Sequence, residues 1–248
     1  MVKGISIKFE SYEETITKAL KLIKLDQELK KHNKIVLKPF IRDSKSPHTD
    51  SKFLESVLKF CNENKNSAAE IFIAEGSDGE DTIELFESFG YKNLAEKYSI
   101  GLIDLNNTEL EEINNPDFQK FPSILYPKLL KDSFVISLPP LFLDDELEIV
   151  ASLSNLIGAF PASEYSGFFT SRKTKIRKWP IKYSIHDILK CKLPDLSIVD
   201  ASSKGYILTG QPIEIDKQCA KLLDLDWKNI SHLKLISESF QNQKTKNQ

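Results

Sequence analysis

Apolar and polar positions alternate over residues 3–9. Ile5, Ile7 and Phe9 face one way and Ser6 and Lys8 the other, the two-residue period of a strand. Beyond that point the pattern becomes a series of short apolar runs, each closed by a polar or turn-forming group. They are Ile35-Val36-Leu37 before Lys38-Pro39, Ile71-Phe72-Ile73-Ala74 before Glu75-Gly76, and Ile100-Gly101-Leu102-Ile103 before Asp104. Phe134-Val135-Ile136 before Ser137-Leu138-Pro139 and Leu196-Ser197-Ile198-Val199 before Asp200 complete the set. Continuous runs of this length, rich in β-branched residues, predict buried strands of a parallel sheet.

Helical periods fill the gaps. Ser11 stands at an N-cap with Glu14 at the capping-box position, and Ile16, Ala19, Leu20 and Ile23 follow at helical spacing. A helix is expected over 50–64, with Phe53, Leu54, Val57, Leu58 and Cys61 on one face, and two more near 81–89 and 91–98. This β-α-β-α-β order implies right-handed crossovers and a mostly parallel sheet. Residues 105–123, with Asn114-Asn115-Pro116 and Pro122, read as an excursion from it. The pattern resumes with a short helix at 127–132, a strand at 133–138 and a helix over 145–157. An irregular, mobile loop is expected over 159–182. Then come a short helix from Ile185 to Cys191, a strand at 195–200, a hairpin-like return from Gly205 to Gly210, and helices over 213–224 and 229–240. Residues 1–240 thus read as one Rossmann-like α/β domain, mostly parallel sheet with flanking helices, in halves 1–105 and 124–240. A polar, disordered tail is expected over 241–248.

Composition narrows the function classes. Apolar residues make up 40% of the 248 and charged residues 28%, enough for a large core and a well-solvated surface. A net charge of −2 argues against a dedicated nucleic-acid binder. No apolar stretch reaches the length of a membrane span and the first residues have no signal-peptide core, so a cytoplasmic protein with no membrane contact is expected. The three cysteines, Cys61, Cys191 and Cys219, are dispersed; they cannot supply the usual four-thiolate set of an iron–sulfur cluster or a four-cysteine zinc site. They read as buried free thiols. No metal ligand is assigned.

Ligands of open α/β sheets bind beyond the carboxyl ends of the strands. Those ends carry Lys38, Glu75, Asp104, Ser137 and Asp200. Glu75 precedes a Gly76-Ser77-Asp78-Gly79 turn that lacks the glycine spacing of a dinucleotide fingerprint. Asp144-Asp145-Glu146 reads as the acidic first turn of a helix, and His186 beside Asp187 as a cap or surface residue. Arg172, Lys173, Lys175, Arg177 and Lys178, with Trp179, form the one dense basic stretch, read as a solvated loop able to close over an anion.

The order of these pieces resembles the family called domain of unknown function 362. The resemblance rests on Val36-Leu37-Lys38-Pro39, Ala74-Glu75-Gly76-Ser77, Phe89-Gly90-Tyr91 and Leu102-Ile103-Asp104-Leu105-Asn106. It continues through Val135-Ile136-Ser137-Leu138-Pro139, Asn155-Leu156-Ile157-Gly158, Leu196-Ser197-Ile198-Val199-Asp200 and the stretch from Gly210 to Asp216. It implies a Rossmann-like fold and places Asn155 and Gly158 at the strand-end crevice. This chain departs from the family pattern. Pro140-Leu141-Phe142-Leu143 stands where typical members look like a Lys-x-Lys-Thr-His segment, Ser154 replaces a lysine, and the cysteine-rich ferredoxin segment of many members is missing. It reads as a divergent member. A looser resemblance links the N-terminal half to the nickel-pincer lactate racemase family, but that family's paired His motif is absent and its cofactor is not carried over.

Two readings follow. In the first, Lys38, Glu75, Asp104, Ser137, Asn155 and Asp200 line a site for a small anionic ligand, with Arg172 and Lys175 on the covering loop. In the second, the protein is a non-catalytic binding or scaffolding partner that contacts a protein or RNA through the basic loop 172–182. Neither reading assigns a cofactor or a catalytic residue.

Overall fold

The computed structural model describes residues 4–246, with side chains to residue 240; the last helix runs on to Lys246, so the disordered tail expected over 241–248 is helical over 241–246, and 247–248 lie outside the described residues. The first half runs β1 (Gly4–Lys8), α1 (Tyr12–Leu22), α2 (Leu25–Glu28), β2 (Lys34–Pro39), α3 (Ser51–Asn64), β3 (Glu70–Glu75), α4 (Thr82–Ser88), α5 (Tyr91–Tyr98) and β4 (Gly101–Asp104). After a hairpin of β5 (Leu110–Ile113) and β6 (Ile124–Pro127) come α6 (Lys128–Lys131), β7 (Phe134–Leu138) and a second hairpin, β8 (Phe142–Asp144) with β9 (Glu148–Val150). Then follow α7 (Ala162–Tyr165), α8 (Ile181–Cys191), β10 (Leu196–Ala201), β11 (Tyr206–Gly210), α9 (Pro212–Leu222) and α10 (Ser231–Lys246).

Seven strands form one sheet in the order β1-β11-β10-β7-β2-β3-β4. The stretch β10-β7-β2-β3-β4 is parallel, and β11 runs antiparallel to β10 and β1. The fold is therefore mixed α/β with a mostly parallel central sheet and flanking helices. Although first in sequence, β1 lies at the far edge against β11, with three strands between it and β2. From β2 the chain winds to β3 and β4 on one side, whereas β7 leads to β10 on the other. The order therefore reverses between β2 and β7.

Strand alternation sorts side chains onto the two faces. Ile35, Leu37, Ile71, Ile73, Ile136 and Ile198 join the core under α1 to α5. Val36, Ala74, Val135 and Val199 join the opposite core, under α8, α9 and α10. Three helices, α1, α3 and α4, start where capping chemistry predicts: Ser11 Oγ accepts from Glu14 N at 3.3 Å, and the Asp50 and Asp81 carboxylates accept first-turn N–H groups of α3 and α4.

The structure corrects three local expectations. Residues 145–157 are not a helix. Asp144 Oδ1 accepts from Glu146 N and Leu147 N, and Glu148 adopts φ +63°, so an aspartate turn closes the β8–β9 hairpin instead. A 3-10 segment, Ser154–Ala159, follows it. Residues 159–182 are not simply irregular. Phe160, Tyr165, Lys173 and Ile176 are buried, α7 and a 3-10 turn (Thr174–Arg177) organise the segment, and α8 begins earlier than expected. His186 is fully buried rather than at the surface: its Nδ1 lies 2.7 Å from Asp187 Oδ1 and its Nε2 3.0 Å from Ser239 Oγ. Asp187 also accepts backbone N–H groups from Gln119, Lys120 and Phe121, which pins the excursion to α8. Cys61 and Cys219 are buried free thiols. Among the described residues, no helix is long and apolar enough to cross a membrane, and no group of three or more His, Cys, Asp or Glu is placed to hold a metal.

Candidate functional site

The carboxyl end of β2 carries Lys38, in register with Ser137 of β7. Both take the parity of Val36 and Val135 and so point to the α8–α10 face. There the 3-10 segment after β9 drops Asn155 onto them. Lys38 Nζ lies 2.8 Å from both oxygens of Glu75, the last residue of β3, and donates to Asn155 O at 2.7 Å and Asn155 Oδ1 at 3.2 Å. The side chains of Lys38 and Glu75 are 0% and 1% exposed. Asn155 Nδ2 returns bonds to Lys38 O and to Ser137 Oγ, and Ser137 in turn donates to Ser152 O. This network spans the point where the strand order reverses, the place where open α/β sheets hold their ligands.

Close packing of two glycines makes the network possible. A Cβ on Gly158 would land on Glu75 Oε1 and 3.0 Å from Lys38 Nζ; one on Gly76 would sit 2.6 Å from Gly158 O. Gly76 N also donates to Glu75 Oε1 at 2.8 Å. Burial pushes the Glu75 carboxyl up and the Lys38 ammonium down, and their mutual attraction opposes both shifts.

Lys173, which the sequence hid inside a stretch that reads as solvated, completes the cluster. It is buried, and its Nζ donates to Gly76 O at 2.8 Å and Gly158 O at 3.2 Å. Among the described residues it forms no ion pair. Burial pushes its ammonium down to about 8 against the attraction of Glu75 and Asp78. Arg177, also missed, clamps the mouth: it bonds Asp78 Oδ2 at 2.7 Å and both oxygens of Glu146 at 2.6 and 2.9 Å. Behind it lies a cavity of about 20 Å³, bordered by Glu75, Asn155, Gly158, Lys173 and Ile176, roughly the space of one water. The sequence signal for Lys173 was slight: Ile176, three residues on, is the only apolar group marking the inward face of that turn.

The other expected residues lie elsewhere. Asp104 faces Glu75 in register but caps its own turn, accepting from Asn106 N and Asn107 Nδ2. Asp200 takes the opposite strand parity, towards α1, where Tyr12 Oη donates to it at 2.7 Å. Arg172 and Lys175 are exposed, and Lys175 donates to Glu164 O. The structure therefore brings together Lys38, Glu75, Ser137 and Asn155, and leaves Asp104, Asp200, Arg172 and Lys175 outside the buried cluster.

Among solved structures, the lactate racemase apoprotein from Thermoanaerobacterium thermosaccharolyticum has a similar fold, with a TM-score of 0.58 at 15% sequence identity. The match covers 90% of this chain and 57% of that one, so this chain spans well under two thirds of that protein's length. At this identity the likeness is one of fold. No curated protein matches the chain significantly. The family profile described as a domain of unknown function, DUF362, matches residues 35–217, a span that holds every residue of the buried cluster. The chain belongs to that family.

Proposed function

We propose that the protein binds a small anionic ligand in the crevice at the carboxyl ends of β2, β3 and β7. The observation that carries this reading is the charge count of the buried cluster: two lysines, Lys38 and Lys173, face a single buried carboxylate, Glu75. An unpaired buried ammonium is costly, and a small anion beside Lys173 would neutralise it with charge-assisted hydrogen bonds. Lys38, already paired, fixes Glu75 and Asn155, while Lys173 is the group left to receive the ligand. A cavity of 20 Å³ is too small for such a molecule, so entry requires Arg177 to leave Asp78 and Glu146. The reading uses the sheet in the Rossmann-like manner and sets the protein in the cytoplasm, where Cys61, Cys191 and Cys219 stay reduced. It assigns no reaction.

Titration calorimetry of the full chain with D-lactate, L-lactate, pyruvate and inorganic phosphate tests it. At a pH of about 8 to 9, part of the Lys173 population is neutral, so an anion that pairs with it should take up a fraction of a proton. The heat should then vary with the ionisation enthalpy of the buffer. Binding should be lost in Lys173→Met and kept in Lys175→Met. Binding unchanged in Lys173→Met, or no binding of any of these anions by folded protein, overturns the reading.

A further inference from the structure

The segment that carries Lys173 also carries the most exposed apolar side chains of the described chain. Phe168 and Phe169 are each 94% exposed. Their rings meet edge to face, with centroids 4.8 Å apart. They stand at the apex of a tight turn. Gly167 bridges Thr170, Gly167 N donates to Arg172 O, and Ser171 Oγ ties the turn to Gly79 O at 2.8 Å. The turn is thus fastened at its base while its two rings project outward. Two adjacent phenylalanines held in water by an anchored turn are an exposed apolar feature that asks for a partner.

The charges along the segment itself say which kind. Between residues 162 and 178 there are five cations and one acid, Glu164. Lys173 is buried and Arg177 is paired with Asp78 and Glu146. Arg172, Lys175 and Lys178 remain exposed, and among the described residues no ion pair occupies them. We propose that the Phe168–Phe169 turn is an interfacial anchor that dips into an anionic lipid surface, with Arg172, Lys175 and Lys178 meeting the headgroups. Aromatic rings leading a cluster of cations is the arrangement that binds such surfaces reversibly. A convex tip of two side chains also offers much less than the roughly 800 Å² per partner of a stable protein interface. This mode needs no membrane span, so the absence of a spanning helix does not bear on it.

Flotation of the full chain with vesicles tests the proposal, using phosphatidylcholine alone and phosphatidylcholine with phosphatidylserine. Binding should appear with the anionic lipid and weaken as salt rises. The double variant Phe168→Ser/Phe169→Ser should lower partitioning at least about tenfold. Lys175→Gln and Lys178→Gln should each lower it roughly fivefold. In Phe168→Trp, the new indole should shift its emission to the blue on mixing with the anionic vesicles. All these side chains are exposed, so folding is not at stake. Equal binding by the serine double variant, or no dependence on phosphatidylserine, overturns the proposal. So does a concentration-dependent dimer that the serine double variant abolishes, because the rings would then serve a second protein chain.

Discussion

The buried pair of Lys38 and Glu75 makes a quantitative prediction. At 2.8 Å, two unit charges in a medium of effective dielectric constant about 20 attract by about 6 kcal/mol. Taking each charge out of water costs several kcal/mol, so the pair as a whole contributes little net stability. Breaking it is another matter. Glu75→Gln leaves the Lys38 ammonium buried without a counter-charge, facing only the neutral oxygens of Asn155 and of the new amide, and should destabilise by ~3–5 kcal/mol. Lys38→Met leaves the Glu75 carboxylate with the Gly76 N–H as its one hydrogen-bond donor, and should cost a similar ~3–5 kcal/mol. The double variant Lys38→Met/Glu75→Gln removes both charges and should cost less than the sum of the two by at least about 2 kcal/mol. Urea unfolding, with the midpoint and slope fitted separately, measures all three, because each loss lies within the ~5–15 kcal/mol of a typical domain. Single-variant costs under about 1 kcal/mol, or strict additivity, would show that water reaches the pair and that the crevice is open in solution.

Four further outcomes follow from the same geometry. Lys173 has its ammonium pushed from 10.5 down to about 8, so between those values the unfolded chain holds more protons. Stability should therefore rise from pH 8 to 10.5, by about 3 kcal/mol, and Lys173→Met should remove the slope in pH-resolved denaturation. Asp216 is fully buried, accepts from Ser152 N and Leu153 N, and is pushed from 3.8 up to about 7. In that window the folded chain holds the extra proton, so this group should lower stability by about 4 kcal/mol as pH rises through it, and Asp216→Asn should flatten that part of the curve. Gly158→Ala should cost roughly 3–5 kcal/mol, because its Cβ displaces the Glu75 carboxylate from Lys38; a loss under about 1 kcal/mol in urea would mean that the segment gives way freely. In α9, Ile215→Ala should cost ~2–5 kcal/mol and Leu222→Ala clearly less, since Ile215 is fully buried and Leu222 is only partly buried against the core.

Much of this architecture can be read from the chain because two periods govern it. Runs such as Ile71-Phe72-Ile73-Ala74 have one physical solution, a strand covered on both faces, and the structure has them as β2, β3, β7 and β10. The side to which each strand-end group points was legible in principle from the same alternation. Lys38 and Ser137 share the parity of Val36 and Val135, while Asp200 shares that of Ile198 and belongs to the other face. Local hydrogen bonding erased the helical signal at 145–157. The helical spacing was there, but Asp144 offers its carboxylate to the next N–H groups, and a turn needs fewer residues fixed than a helix nucleus. Lys173 and Arg177 could not be told from their exposed neighbours, because a lysine carries no mark of burial in its own sequence. The backbone carbonyls of Gly76, 97 residues away, and of Gly158, 15 residues away, make the pocket for it.

That pocket bears on why the basic stretch exists. If it were only a solvated loop, its five cations would be interchangeable, and none would need to be buried. Instead they divide by depth. Lys173 reaches the cluster at the strand ends, Arg177 locks Asp78 to Glu146 across the mouth, and Arg172, Lys175 and Lys178 stay outside with the two phenylalanines. Lys173, Arg177 and the Phe168–Phe169 turn lie within ten residues on one anchored stretch, so the turn and the Arg177 clamp share the same attachment to the body. If the tip docks and the crevice takes a ligand as proposed, Asp78 couples the two events. That residue accepts from Lys173 N and pairs with Arg177, in the loop whose Gly79 holds the turn.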